Sequence, residues 1–240
     1  MVMISFFKRK VYPVGCFINE YKVIRLIGEG RFGICYLVNL DGKEYVLKEV
    51  KPKAIKKNGS KIIFEKEILS SIEHPSIPKI FDTIINDDMY AYILEYKTGK
   101  TIEEMIFGDN HVFTQPEIYE VGKRVINIIK YLHDNNIVHR DIRVPNVILH
   151  ENNVHLIDFG LARFINNERY VPSADFSYFG HLLLHLHYSS FEKSSRKSKP
   201  WYSELELTEK NIMFLKKLIG IKENYKNIIE VEDDFCKVFG

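Results

Sequence analysis

The feature that most constrains this chain is a change of hydrophobic period at Lys97-Thr98-Gly99-Lys100. Before it, apolar residues come in short runs parted by turn residues, the pattern of strands; after it, they recur at helical spacing. Tyr21 to Ile27, Ile34 to Asn39 and Tyr45 to Val50 read as strands, the last two joined at Asp41-Gly42. Lys79 to Ile85 and Met89 to Glu95 read as two more, joined through Asn86-Asp87-Asp88. One helix interrupts them, from about Lys61 to Ile72, with Phe64, Ile68, Leu69 and Ile72 at helical spacing before His74-Pro75 ends it. Successive hairpins make the sheet antiparallel. The expected class is therefore α+β: an N-terminal extension over 1–20, a small β-rich lobe with one helix over 21–97, and a mostly helical lobe over 98–240.

In the second lobe, Thr114-Gln115-Pro116-Glu117 has the form of a capping box with proline in the first turn. The stripe Ile118, Val121, Val125, Ile128, Ile129 and Leu132 then predicts a long helix ending at His133-Asp134-Asn135-Asn136. Val147 to Leu149 and Val154 to Ile157 flank Glu151-Asn152-Asn153 as a hairpin. Phe176 to Tyr188 is an apolar helix, Glu192 to Pro200 a polar basic loop, and Thr208 to Ile219 a final amphipathic helix through Ile212, Leu215, Leu218 and Ile219. There are no internal repeats.

With 240 residues, 45% hydrophobic and 28% charged, the chain can bury a sizeable core. A net charge of +2 is too small for a dedicated nucleic-acid binder. Cys16, Cys35 and Cys236 form no CxxC pair, so neither a disulfide framework nor a zinc site is expected, and a reducing cytoplasm fits them. Met1 to Phe7 is too short for a signal sequence and precedes Lys8-Arg9-Lys10 instead of following charge. No apolar run approaches the ~20 residues that cross a bilayer. His181, His185 and His187 include an i, i+4 pair but lie among leucines with no carboxylate at metal-site spacing, which suits a core helix.

The chemistry concentrates in His139-Arg140-Asp141-Ile142-Arg143-Val144-Pro145-Asn146, followed across the hairpin by Asp158-Phe159-Gly160. An Asp can accept the proton of an attacking hydroxyl, while an Asn and a second Asp offer the hard oxygens that Mg²⁺ on nucleotide phosphates requires. Phosphoryl transfer follows as the reaction to expect. Gly28-Glu29-Gly30-Arg31-Phe32-Gly33 matches GxGxxG, a weak signal alone. A dinucleotide site needs a helix directly after the glycines, whereas Ile34-Cys35-Tyr36-Leu37-Val38 reads as a strand, so the loop is a flap whose backbone amides can cover phosphates. Lys48 ends the apolar run Tyr45-Val46-Leu47; it is either a surface lysine at a strand edge or an inner-face lysine for phosphate oxygens held by an acid. Glu65 is the preferred acid, with Glu67 its less favoured neighbour.

Glycine loop, strand lysine, helix glutamate, His-Arg-Asp loop with its asparagine, and Asp-Phe-Gly occur in this order, and the chain resembles the eukaryotic-like protein kinase superfamily. More narrowly it is similar to the small single-domain serine/threonine kinases of Bacillus-type bacteria, the YbdM-like group, in its Asp141-Ile142-Arg143-x-Pro145-Asn146 loop and its tail from Trp201 to Ile221. The resemblance implies a bilobal kinase fold, ATP with Mg²⁺ (or Mn²⁺ in its place), and a protein substrate. It makes Ile27, Gly28, Glu29, Gly30, Arg31, Phe32, Gly33, Ile34 and Cys35 the phosphate-covering flap. It also makes Lys48 the ligand of the α and β phosphates and Glu65 the partner of that lysine. Asp141 becomes the catalytic base, with Arg143 on the transferred phosphate and Asn146 and Asp158 as metal ligands. Glu95, Tyr96 and Lys97 become the adenine-binding hinge beside Leu94. Leu69, His139 and Phe159 are implied to stack, and Asp175 to anchor the catalytic loop.

Two departures qualify the likeness. Arg143 stands where serine/threonine kinases usually carry lysine. Only Leu161 to Ala174 separate Asp158-Phe159-Gly160 from Asp175, without an Ala-Pro-Glu and without the arginine that would pair with it, so the helical lobe is shortened and its peptide platform is missing. A small-molecule acceptor, or a scaffold that uses its pocket only as a switch, are the alternatives this leaves open. Tyr170, Ser173 and Ser177 are either hydroxyls whose phosphorylation Arg140 reads or turn-capping and packing groups. Lys51 to Lys61 and Lys193 to Lys199 read as solvated loops, or as a basic docking surface for an acidic partner.

Overall fold

The computed structural model describes residues 11–30, 33–51, 60–86, 89–166, 168–192 and 199–240, with the side chains of 60–63 outside that description. The turn residues Asp87 and Asp88, and most of both basic loops, lie outside the described residues. The chain divides into two compact units, Met1–Ile62 with Ile80–Tyr96, and Ile63–Lys79 with Lys97–Gly240.

The first unit is a six-stranded antiparallel sheet of β1 (Phe17–Ile18), β2 (Tyr21–Glu29), β3 (Gly33–Leu40), β4 (Lys43–Val50), β5 (Ile80–Ile85) and β6 (Tyr90–Glu95), in the order β1-β2-β3-β4-β6-β5. Register pairs Tyr36 with Leu47 and Leu47 with Ile93. Because strand side chains alternate faces, these three share one face with Val23, Val38 and Ala91, and together they form the core. Each large side chain so buried contributes about 1.5–3 kcal/mol. The β3–β4 turn is Asp41-Gly42, with φ of 51° and 83°, a pair of positive values that glycine adopts freely and aspartate tolerates. Asn39 Oδ1 accepts the Gly42 N–H at 3.1 Å and closes it.

Of the expected extension over 1–20, the described residues 11–20 contribute structure of their own. Phe17 and Ile18 pair with Lys22 and Tyr21, and the Tyr12 ring meets Tyr36 edge to face at 5.7 Å. Two residues of strand are too few to show a period, which is why the sequence pattern does not reveal β1.

The second unit is mainly helical. Helix α1 (Ser60–Ser71) enters it from Ile63 onward. The long α2 (Gln115–Asp134) begins with the capping box: Thr114 Oγ1 accepts the Glu117 N–H, while Glu117 Oε2 accepts the Thr114 N–H at 2.7 Å. Ile118, Val121, Val125, Ile128, Ile129 and Leu132 are all buried, as its stripe predicts. Short strands β7 (Lys100–Thr101), β8 (Ile137–Val138), β9 (Val147–His150), β10 (Asn153–Leu156) and β11 (Arg163–Phe164) follow in two small sheets, β10-β9-β7 and β11-β8. Helix α3 (Ser173–Tyr188) is apolar on most of its circumference and runs through the core.

A short α4 (Trp201–Glu204) and α5 (Glu209–Leu218), capped by Thr208, come next. Helix α5 is not the last. A further helix, α6 (Ile228–Phe239), starts at Asn227, whose side chain accepts the Glu230 N–H, and buries Ile228, Val231 and Phe235. Phe235 stacks on Tyr119 of α2 at 5.6 Å. Gly122 makes this approach possible, since a Cβ there would lie 2.4 Å from the Phe235 ring. No helix among the described residues is long and apolar enough to cross a membrane.

Candidate active site

In the β-rich unit, the flap residues Ile27, Gly28 and Glu29 end β2, Gly33, Ile34 and Cys35 begin β3, and Arg31 and Phe32 lie outside the described residues. Gly30 N–H donates to Gly33 O at 2.9 Å and closes the turn. Gly33 is required by packing: a Cβ would sit 2.6 Å from Glu49 O on the neighbouring strand. At Gly28 and Gly30 a Cβ would meet no atom within 4 Å, so those two leave their backbone open to an approaching group. Glu29 forms an ion pair with Lys51 at 2.5 Å.

Lys48 lies between Cys35 and Tyr92 in the middle of the sheet, on the face opposite Leu47. It is buried, which removes the reading of a lysine at a strand edge. Leu94 and Glu95 end β6, and Tyr96 closes the unit.

In the helical unit, Glu65 and Leu69 are buried on α1. Lys97 is buried too, and its Nζ donates to Pro75 O at 2.9 Å, so the proline that ends α1 also anchors this lysine. The His139–Asn146 loop leaves β8 and enters β9 through a 3₁₀ turn at Val144–Asn146. Asp175 of α3, fully buried, organises its start. Its Oδ2 accepts the His139 N–H at 3.0 Å, and its Oδ1 accepts the Arg140 N–H at 2.7 Å. His133 Nε2 lies 3.0 Å from Oδ2. Arg140 has a φ of 65°, a conformation that costs a non-glycine residue of order 1–3 kcal/mol and that these bonds hold in place.

The His139 ring is completely buried and packs edge to face on Phe159 at 4.6 Å. Burial pushes its pKa down, while the Asp175, Asp158 and Asp141 carboxylates act in the opposite sense. Asp141 receives three side-chain hydrogen bonds. Arg143 donates from Nε to Oδ1 at 2.5 Å and from Nη2 to Oδ2 at 3.0 Å, and Asn146 donates from Nδ2 to Oδ2 at 2.9 Å. The same Asn146 amide reaches Asp141 O at 2.9 Å. The carboxylate pushes the Arg143 pKa up, mainly through this hydrogen bonding. With its NH₂ group spent on Asp141, Asn146 has its carbonyl oxygen available to a cation.

Asp158 is exposed and left-handed, with φ of 62° and ψ of 79°, and its Oδ1 accepts the Gly160 N–H at 3.3 Å. Its field bears on both Arg143 and His139, so the hairpin does bring the two sequence-distant acids to one neighbourhood. The donor set thus fits a hard divalent cation in kind: one carboxylate and one amide oxygen.

Sequence reasoning passed over His133 and Arg163. His133 sits in the predicted helix end with nothing to mark its partner. Arg163 is buried, donating from Nη1 to Ala162 O at 2.5 Å and stacking its guanidinium on Phe64 at 5.0 Å. Its only sequence signal is a charge beside apolar Ala162 and Phe164.

Residues 21–190 match the family model described as protein kinase domain. The chain is 36% identical over 225 residues to the probable serine/threonine-protein kinase YbdM of Bacillus subtilis, covering 90% of this chain and 88% of that one. It is 32% identical over 171 residues to probable serine/threonine-protein kinase 2 of Plasmodium falciparum, covering 69% of this chain and 33% of that protein. With serine/threonine-protein kinase PrkC of Bacillus subtilis it shares 30% over 155 residues, 62% of this chain and 24% of the other. The chain thus spans nearly all of the first relative and a third or less of the other two. The kinase motifs, the α+β fold and these likenesses agree, and the chain belongs to the protein kinase domain family.

Proposed function

We propose that this chain is an ATP-dependent protein kinase that transfers the γ-phosphate of ATP to serine or threonine hydroxyls of a protein substrate. One observation supports the reading above the others: Asp141 is clamped by Arg143 and Asn146 on a loop whose backbone is tied to buried Asp175. In the transfer, the acceptor oxygen forms its bond to the γ-phosphorus as the bond to the β–γ bridging oxygen breaks. ADP departs with that electron pair, and the hydroxyl proton passes to Asp141. In this reading Arg143 brings its charge to the transferring phosphoryl group, Lys48 serves the α and β phosphates with Glu65 as its partner, and the flap from Ile27 to Cys35 covers them. Glu95 and Lys97 offer backbone groups to adenine. Asn146 and Asp158 are the residues that would hold Mg²⁺, or Mn²⁺, which when bound neutralises charge across the phosphates.

Three widely spaced cysteines without a CxxC pair suit a reducing cytoplasm, and that is the compartment proposed. A small-molecule acceptor is the second reading, favoured by one observation: α3 begins at Ser173, so there is little chain in which to build a peptide platform. The test is γ-labelled ATP with cell lysate, wild type against Asp141→Asn. Label on serine or threonine of proteins, lost by about 10²–10⁴-fold in the variant with nucleotide binding retained, is the expected result. Label confined to metabolites selects the second reading, and equal labelling by both proteins removes Asp141 as the base.

A further inference from the structure

The segment between Asp158 and α3 is short, yet it is pinned at closely spaced points along its length. Arg163 and Phe164 pair with Val138 and Ile137, directly before the catalytic loop. Ile165 N–H donates to Asn136 O at 2.7 Å. Asn166 Oδ1 accepts the N–H groups of Glu168, Arg169 and Tyr170 at 3.2, 3.0 and 2.9 Å, and its own N–H donates to Tyr170 O at 3.2 Å. These bonds fold the chain back so that the Tyr170 ring meets the Arg140 guanidinium, 4.9 Å from Cζ to the ring centroid. That separation is within cation–π range. Arg140 in turn donates from Nη1 to Leu161 O at 3.1 Å, so its side chain is held between the two ends of the segment.

Arg163, whose guanidinium lies over the Phe64 ring, meets the same tyrosine at its hydroxyl. It is buried, its Nε has no hydrogen-bond partner, and burial pushes its pKa down, while the neighbouring Tyr170 hydroxyl favours its charged form. Arg169 lies 5.7 Å from the ring as well. Tyr170 thus meets Arg140 and Arg169 with its ring and Arg163 with its hydroxyl, directly beside Asp141 in sequence through Arg140.

Resting on the kinase reading above, we propose that Tyr170 is a positioning residue for phosphoryl transfer: its unmodified ring, clamped on Arg140, holds residues 161–166 against the catalytic loop and sets Asp141. The segment then needs no phosphate to be ordered. Removing the ring frees the Arg140 side chain and loosens a backbone already held at positive φ, so the loss falls on kcat and not on ATP affinity.

The test uses the full chain with Tyr170→Ala and Tyr170→Phe, both checked by thermal melting. Tyr170→Ala is expected to lower kcat by ~10-fold or more with KM for ATP changed less than ~3-fold, and Tyr170→Phe, which keeps the ring, to restore most of it. Amide exchange read without nucleotide is expected to speed up over residues 140 and 165–170 in Tyr170→Ala alone, a readout that stands even if no kinase activity is found. Phosphatase treatment of the wild type should leave kcat and exchange unchanged. Unaltered exchange in Tyr170→Ala, equal loss in both variants, or a kcat that collapses on phosphatase treatment overturns the proposal.

Discussion

The Asp175 carboxylate accepts the backbone N–H of Arg140 at 2.7 Å across 35 positions of sequence, and this bond holds a residue whose φ is 65°. The same carboxylate serves His139 and His133, so one buried acid orders both the end of α2 and the start of the catalytic loop. Asp175→Ala leaves those N–H groups buried without an acceptor and is expected to cost about 3–5 kcal/mol. Asp175→Asn keeps the shape but only one good acceptor, and should cost about half as much. Urea unfolding of the three proteins measures the order.

Arg143 holds Asp141 through two parallel N–H···O bonds. A lysine can supply charge there but not the fork. Arg143→Ala is expected to lower kcat by about 10²-fold, the scale for losing one preorganised donor in a site. Arg143→Lys should recover part of it. Steady-state kinetics with saturating ATP distinguish the two; equal rates in all three proteins would remove Arg143 from the chemistry.

The contact of Gly122 with Phe235 predicts a stability effect far from the chemistry. Phe235 is fully buried among Tyr119, Phe179, Phe214 and Phe239, so its ring has little room to retreat. Gly122→Ala should cost about 1–3 kcal/mol by overpacking in spite of its better helix propensity. Adding Phe235→Leu should recover some of that loss, as read by thermal unfolding.

His187 is buried beside Phe239, its Nε2 has no partner, and burial lowers its pKa from 6.5 to about 4. The folded state binds this proton less readily than the unfolded state. Its contribution to stability is therefore intact above pH 6.5 and is lost as pH falls from 6.5 toward 4. Full protonation costs about 3 kcal/mol at 1.36 kcal/mol per unit. Urea midpoints at pH 7.5 and 4.5 should differ less in His187→Leu than in the wild type, with little loss at the higher pH because no polar atom is left unpaired.

Where the determining forces are local, the sequence is a reliable guide. Thr114 and Glu117 satisfy each other within one helical turn, and Asp41-Gly42 needs only its own positive φ values, so both were legible. The chemistry-bearing residues Asp141, Asn146 and Asp158 were legible as types in a fixed order. Helix α6 carries a local signal too, with Ile228, Val231 and Phe235 at helical spacing behind Asn227 and its acids on the other face, but its packing was not legible, because the residues it needs, Tyr119 and Gly122, lie far up the chain. Strand β1 was missed because its two residues gain their meaning from Tyr21 and Lys22 opposite.

The change from strand to helix period, the capped helices and turns, and the identity of the groups able to handle phosphate are all written in the order of the residues. Which of those groups are held, and by what, is settled when the chain closes on itself. Asp175 takes Arg140 from 35 residues away, the Tyr170 ring meets that same Arg140, and Phe235 enters the notch at Gly122. The physical reason is range: capping, turn formation and periodicity act within a few residues, whereas burial of a charge or a ring takes effect only when distant elements close around it.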